Sequence, residues 1–482
     1  MPRLSAFGRL LRPFMGSSLG GLDAVIVVLA VSLASPVFVR IGGPTLVWLP
    51  DAAAHRAGGF DLPISAFLVT VAALWLMAAR SQQRLPRLRL RTDRPAAAFA
   101  AVASLALCVG LFTRHDLNAG LYFAQTVGPL GAYYVASRLV RSERQGFRVL
   151  ATITVAAVVS AALIFGQSLV SRGPFDVFGA SLEDHVGPLN IYQANDYVPF
   201  TFAIVYLMAL CCAIVRNQLN ATFAMALFVL LVVALGLYAR GPVLVLMMGL
   251  GVLVVATWRD HQSRVPSAIA LTVAGFALAT VLGFDSMERV SLVGARLGES
   301  AWHAVVRSQP ASPTTAPTPN PSTGIVPPTQ QLTPDQSSNE TRLTALAIST
   351  SFVLRNPLFG SGFAPIPWQE LSPIVRALAP TRLYPTHNQY LDLALRGGIP
   401  LLLVFLWLVV AVVGAASRVM RFGETAGARS LGAVMLTVLV PALIVGNMYQ
   451  NNFTQPFSAF LLWFLLGMSA GLSQIGTRGS TP

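Results

Sequence analysis

Two positions in this chain combine a reactive side chain with a setting that suits chemistry at a membrane boundary. Arg240 follows Leu237, Tyr238 and Ala239 and precedes Gly241-Pro242, between two apolar stretches with no other charge nearby. Proline fits the first position of a helix, so Arg240 is expected beside a helix N-terminus with free N–H groups, an arrangement that attracts anions. The same spacing also suits an arginine reaching to lipid phosphates. The second position is His387, within Tyr384-Pro385-Thr386-His387-Asn388-Gln389-Tyr390-Leu391. Thr386 and Gln389 are spaced as a capping box, which predicts a helix with His387 at its first position. Gly397-Gly398 would end that helix and Pro400 would begin the next. A positive helix end disfavours imidazolium, so His387 is expected neutral and able to accept a proton. A surface histidine in a capping turn has the same local pattern.

Both positions must be held by membrane helices. Of the 482 residues, 54% are hydrophobic and 11% charged, against roughly 25% charged in a soluble domain. Apolar runs near twenty residues recur along the chain, each long enough for a hydrocarbon core of about 30 Å. The expected fold is therefore an all-α integral membrane protein with about twelve transmembrane helices. The first apolar run has no cleavage site and reads as a retained helix. Every basic residue is arginine. Twenty of the arginines fall in the N-terminal tail, the even-numbered loops and the C-terminal tail, and five in the short loops opposite. The positive-inside bias then predicts cytoplasmic termini.

Three parts follow. Residues 1–283 carry helices 1–9, residues 284–398 form one large extracytoplasmic loop, and residues 399–482 carry helices 10–12 and a cytoplasmic tail. Within the loop, residues 284–307 read as a short amphipathic helix. Residues 308–340 are rich in Pro, Thr, Ser and Gln and are expected to form a disordered insert. Residues 341–398 regain apolar periodicity and carry the His387 motif. The three cysteines lie in apolar runs and predict neither a disulfide framework nor a zinc site. His185 follows Glu183 and Asp184, but three consecutive residues cannot easily face one ion. No metal, cofactor or nucleic-acid partner is expected.

The order of these motifs resembles the O-antigen ligase and polymerase superfamily of bacterial membrane glycosyltransferases, which are GT-C-like. Tyr238-Ala239-Arg240-Gly241-Pro242 is similar to the family's arginine-glycine turn. Arg342-Leu343 through Asn356-Pro357-Leu358-Phe359-Gly360-Ser361-Gly362-Phe363 resembles its arginine-bearing helix leading to a Pro-x-x-Gly-x-Gly turn. The stretch from His387 through Leu391, followed by Gly397-Gly398-Ile399-Pro400, resembles its histidine-asparagine signature. Residues 187–195 resemble, more loosely, a glycine-and-asparagine stretch.

The resemblance implies an inverting transfer of a glycan from a polyprenyl (undecaprenyl) diphosphate carrier to an acceptor hydroxyl, on the outer face of the cytoplasmic membrane. It requires no metal or nucleotide sugar. His387 would be the catalytic base, and Arg240 and Arg342 the diphosphate binders. Asn388 and Asn195 would position substrate. The acceptor is a glycolipid such as lipid A–core for a ligase, or a growing glycan for a polymerase. A protein O-glycosyltransferase is a variant. A secondary transporter is the alternative from another class, although no paired half-repeat is visible.

Overall fold

The computed structural model describes residues 21–34, 37–41, 45–48, 60–81, 90–115, 118–140, 142–170, 185–186, 191–192, 197–236, 240–281, 334–364, 388–449, 451–454 and 456–473. In chain order the first helices are α1 (Gly21–Ala34), α2 (Ile64–Ser81), α3 (Asp93–Arg114), α4 (Asn118–Val127), α5 (Leu130–Leu139) and α6 (Glu143–Val170). Then come α7 (Tyr197–Arg216), α8 (Ala221–Gly236), α9 (Arg240–His261) and α10 (Val265–Val281). The last are α11 (Pro334–Arg355), α12 (Gln389–Phe422), α13 (Ala426–Pro441) and α14 (Pro456–Leu472).

Among the described residues, six helices are long and apolar enough to cross a membrane. These are α3, α6, α7, α9, α12 and α13, the last with its extension to Gly446. Five other expected spans appear as α1, α2, α8, α10 and α14, apolar helices with 10–17 residues in their apolar stretches. The sixth, expected over residues 119–137, is broken into α4 and α5 at Gly128-Pro129. Proline lacks an N–H and cannot continue the hydrogen-bond ladder. Pro129 instead stands at the N-cap of α5.

The helical class is extended by two small antiparallel sheets in the connections. β1 (Val37–Ile41) lies between β2 (Thr45–Trp48) and β3 (Phe60–Pro63). β4 (His185–Val186) pairs with β5 (Ile191–Tyr192), His185 opposite Tyr192. Glu183 and Asp184, like the amphipathic helix expected at 284–307, lie outside the described residues.

Helix α7 is the axis of the packing. Its membrane-crossing stretch Val198–Arg216 is 89% buried, against 28% for that of α3. It contacts α6, α8, α9, α13 and α14. The peripheral helices turn apolar side chains outward: Phe112 is 80% exposed and Val255 85%. Side chains of this kind along whole helix faces suit lipid as the surrounding solvent. Within the bundle, hydroxyls satisfy themselves on their own helix. Thr257 donates to the Leu253 carbonyl at 2.7 Å, and Ser469 to that of Leu465 at 2.9 Å. Such bonds remove the cost of an unpaired polar group away from water.

An aromatic cluster locks α12 to its neighbours. Phe405 contacts Phe99 of α3 and both Phe453 and Trp463, with ring centroids 5.3–6.2 Å apart. Helix α14 lies close against α5, because Gly467 has no Cβ to meet the Tyr133 backbone. Small residues at such crossings let membrane helices pack closely.

Helix α11 begins at Pro334, inside the stretch 308–340 whose composition predicts no packed structure. Its described apolar end explains the order. Val353 is buried with Ala394 and Leu395 of α12, with Ile348 and Phe352 packed against them.

Candidate active site

The Pro-x-x-Gly-x-Gly turn and the helix after His387 form one unit. Helix α12 has two parts, separated at Gly398 (φ 79°, ψ 177°). The first part ends as Gly397-Gly398 predict, and Pro400 opens the second. The turn Pro357–Phe363 caps that break. Ser361 N donates to the Leu395 carbonyl at 2.6 Å, and Phe363 N to the Arg396 carbonyl at 3.0 Å. In return, Ile399 N donates to the Pro357 carbonyl at 2.7 Å. Carbonyls that a helix end would leave unpaired are therefore satisfied by the turn. Both glycine positions are obligatory. A Cβ on Gly398 would lie 2.2 Å from the Leu358 carbonyl oxygen, and one on Gly362 (φ 62°) 2.4 Å from the Gly110 Cα of α3.

The start of α12 corrects the expected capping box. The helix begins at Gln389, not His387, and its N-cap is Asn388, whose Oδ1 accepts from Leu391 N at 3.0 Å. Gln389 is fully buried, and its Oε1 accepts from Phe453 N at 2.7 Å. The tertiary acceptor role displaces the local one because Phe453 N would otherwise be a buried orphan donor.

Below this turn, the buried Asp392 and the partly buried Arg396 form an ion pair at 2.8 Å, one helical turn apart. Thr454 donates to Asp392 at 3.3 Å, and the Arg396 guanidinium lies over the Tyr122 ring, 5.1 Å from its centre. Helix α13 continues into a π-helical turn, Ala442–Gly446, and then Asn447–Tyr449. The Tyr390 hydroxyl donates to the Leu443 carbonyl. Asn452 Nδ2 donates to Gly446 O at 2.9 Å, and Trp463 Nε1 to Phe453 O at 3.2 Å. The loop from 446 to 454 is thus tied to the first turn of α12.

Arg240 and Arg342 fall on helices linked through α13 and α12. Arg240 heads α9, which packs along α13 and against the π-helical turn. Arg342 lies in α11, which packs on α12. The side chains of Arg240 and Arg342 are outside the described set, as are His387 and Asn195 entirely. Asn388 is described, and its carboxamide oxygen caps α12.

Sequence reasoning gave Gln389 only a capping role and did not single out Arg396, Thr454 or the 446–454 stretch. One signal was available. Asn447, Gln450, Asn451, Asn452 and Gln455 crowd into nine residues between two apolar stretches, where polar side chains are expensive unless they have a use.

Residues 224–406 match the family model described as O-antigen ligase. Over that stretch the chain is similar to the O-antigen ligase family. The match runs from α8 into the second part of α12, and it covers Arg240, Arg342, the Pro357–Phe363 turn and His387. The resemblance drawn from these motifs to the O-antigen ligase and polymerase superfamily is borne out over that stretch. Asn195 and the 446–454 loop lie outside the O-antigen ligase match. No curated protein matches the chain.

Proposed function

We propose that this protein is a metal-independent, inverting glycosyltransferase of the outer face of the bacterial cytoplasmic membrane. It moves a glycan from undecaprenyl diphosphate to a hydroxyl of lipid A–core. The observation that carries the reading is the O-antigen ligase match across residues 224–406, which takes in Arg240, Arg342 and His387. The packing of α9 on the π-helical turn, the bond from Tyr390 of α12 to Leu443 in that turn and the packing of α11 on α12 support bringing Arg240 and Arg342 toward the start of α12. The general function of the family and its lipid-linked glycan substrates follow from the match. The donor, the acceptor and the roles below are the proposal.

In the reaction, the acceptor oxygen forms a bond to the anomeric carbon as the carbon–oxygen bond to the diphosphate breaks. The bonding pair leaves with the diphosphate, and the hydroxyl proton passes to the neutral imidazole of His387. Arg240 and Arg342 hold the diphosphate, since a planar guanidinium fork matches phosphate oxygens and its charge persists at any working pH. Fixed donors in a site poor in water stabilise the charge growing on the leaving group. Asn388, by capping α12, fixes the backbone immediately after His387. Asn195 contributes polar positioning. The span count of twelve and the large outer loop 284–398 belong to the same proposal.

Glycolipid profiling of a strain lacking this protein tests it. Loss of capped lipid A–core, with long lipid-linked chains still present, is the expected result. Accumulation of single lipid-linked repeat units would instead make the protein a polymerase. An unchanged profile would dismiss both.

A further inference from the structure

Three carboxamides are fully buried around the start of α12 without complete pairing: Gln389, Asn447 and Asn452. Gln389 uses its oxygen on Phe453 N, leaving Nε2 without a partner. Asn452 uses Nδ2 on the Gly446 carbonyl, leaving Oδ1 without one. Asn447 meets the Tyr390 hydroxyl, which leaves its Oδ1 without a partner. One open donor and two open acceptors therefore lie on residues at or near the start of α12 and the end of α13.

Buried polar groups without partners cost stability, and native structures seldom keep several together without a use. The chemistry of the open atoms indicates what they take. All three are neutral, and the nearby Asp392 carboxylate is paired with Arg396. A neutral layer that offers both donor and acceptor atoms, with acceptors in excess, is poorly suited to a diphosphate. It suits hydroxyl groups, which both donate and accept.

We propose that Gln389, Asn447 and Asn452 form a carboxamide subsite that binds hydroxyl groups of the glycan carried by the lipid-linked donor. The proposal rests on the reading that the protein binds such a donor. Gln389 lies two residues after His387 in the chain. The subsite lies beyond the O-antigen ligase match at Asn447 and Asn452. All three side chains are fully buried in this structure. The π-helical turn before Asn447 interrupts the regular ladder of α13, and such turns often mark places where a helix serves a functional site.

The test compares binding of two probes to the purified full-length protein in nanodiscs. One is undecaprenyl diphosphate bearing the cell's own repeat-unit glycan, and the other is undecaprenyl diphosphate alone. The wild type should bind the glycan-bearing probe about ten-fold more tightly, the factor one or two added hydrogen bonds supply. Asn447→Leu should bring that ratio close to one, keep the affinity for the bare carrier, and leave the thermal unfolding midpoint unchanged or higher. A retained ratio in the variant would overturn the proposal, as would a ratio of one in the wild type. A lowered midpoint with the ratio intact would show that the amide serves the scaffold or a buried water, which also overturns it. Asn447→Ala is the second variant. Failure of both to fold would make Asn447 structural and refute the subsite. If the wild type binds neither probe, the donor assignment itself fails, a result distinct from all of these.

Discussion

At the scale of single residues, the proposed division of labour separates rate from binding. His387 is assigned a proton transfer, which typically contributes about 10²–10⁴-fold in rate. His387→Ala should lower single-turnover transfer by about that factor and leave donor binding nearly intact. Arg240→Lys keeps the charge but loses the planar fork, so it should weaken donor binding although its charge is conserved. Arg342→Ala should do the same. The measurement is single-turnover transfer in nanodiscs beside a donor-binding assay. A His387→Ala protein within a few-fold of wild type would remove the base assignment, and wild-type donor affinity in both arginine variants would remove theirs. Asn388 is already committed as the cap of α12. Losing such a cap typically costs about 1 kcal/mol, so its substitution mixes stability with chemistry and separates the roles poorly.

At the scale of elements, the junction of the Pro357–Phe363 turn with α12 carries the most constraint. Three backbone hydrogen bonds cross it, and the φ of 79° at Gly398 lies where a residue with a Cβ rarely goes. Gly398→Ala would add both backbone strain and a contact with the Leu358 carbonyl oxygen. We expect a loss of at least about 2 kcal/mol, read as a lower thermal midpoint in detergent and a lower folded yield. An unchanged midpoint would mean the junction can open freely and that the turn does not hold the helix bearing the site. The Asp392–Arg396 pair sits one turn from this junction and over Tyr122 of α4. It ties the first part of α12 to the helices before it.

At the scale of the whole molecule, the contacts sort by expected membrane side. Segments expected in the cytoplasm meet each other. Arg138 pairs with Asp93 at 2.8 Å, Thr425 bonds Glu143, Arg216 stacks on Phe147, and Arg264 donates to the Ile214 carbonyl. The outer ends of expected spans and the segment expected outside also meet: Gly110 with Gly362, Tyr122 with Arg396, and Gln389 with Phe453. A reporter inserted between residues 308 and 333 should therefore be active only as an exported enzyme. Cytoplasmic activity of a reporter at that position would reverse the proposed orientation and remove the outer-face site with it.

The sequence by itself determined the helical membrane class, because apolar runs near twenty residues and 11% charge leave no polar face to most helices. It also marked Gly397-Gly398-Ile399-Pro400 as a break, since glycine and proline act on the backbone locally. The order of the arginine turn, the glycine turn and the histidine motif was enough to indicate the family. Other features depended on partners far away in the chain. Gln389 looked like half of a capping box until Phe453 N, 64 residues on, claimed its oxygen. The expected fourth span broke at Pro129, and α11 began seven residues inside a stretch whose composition argued against structure. The 446–454 loop read as an unremarked connection. Only packing decided that Asn447 and Asn452 would be buried with open hydrogen-bonding atoms, because burial belongs to the neighbours that surround a residue and not to its type.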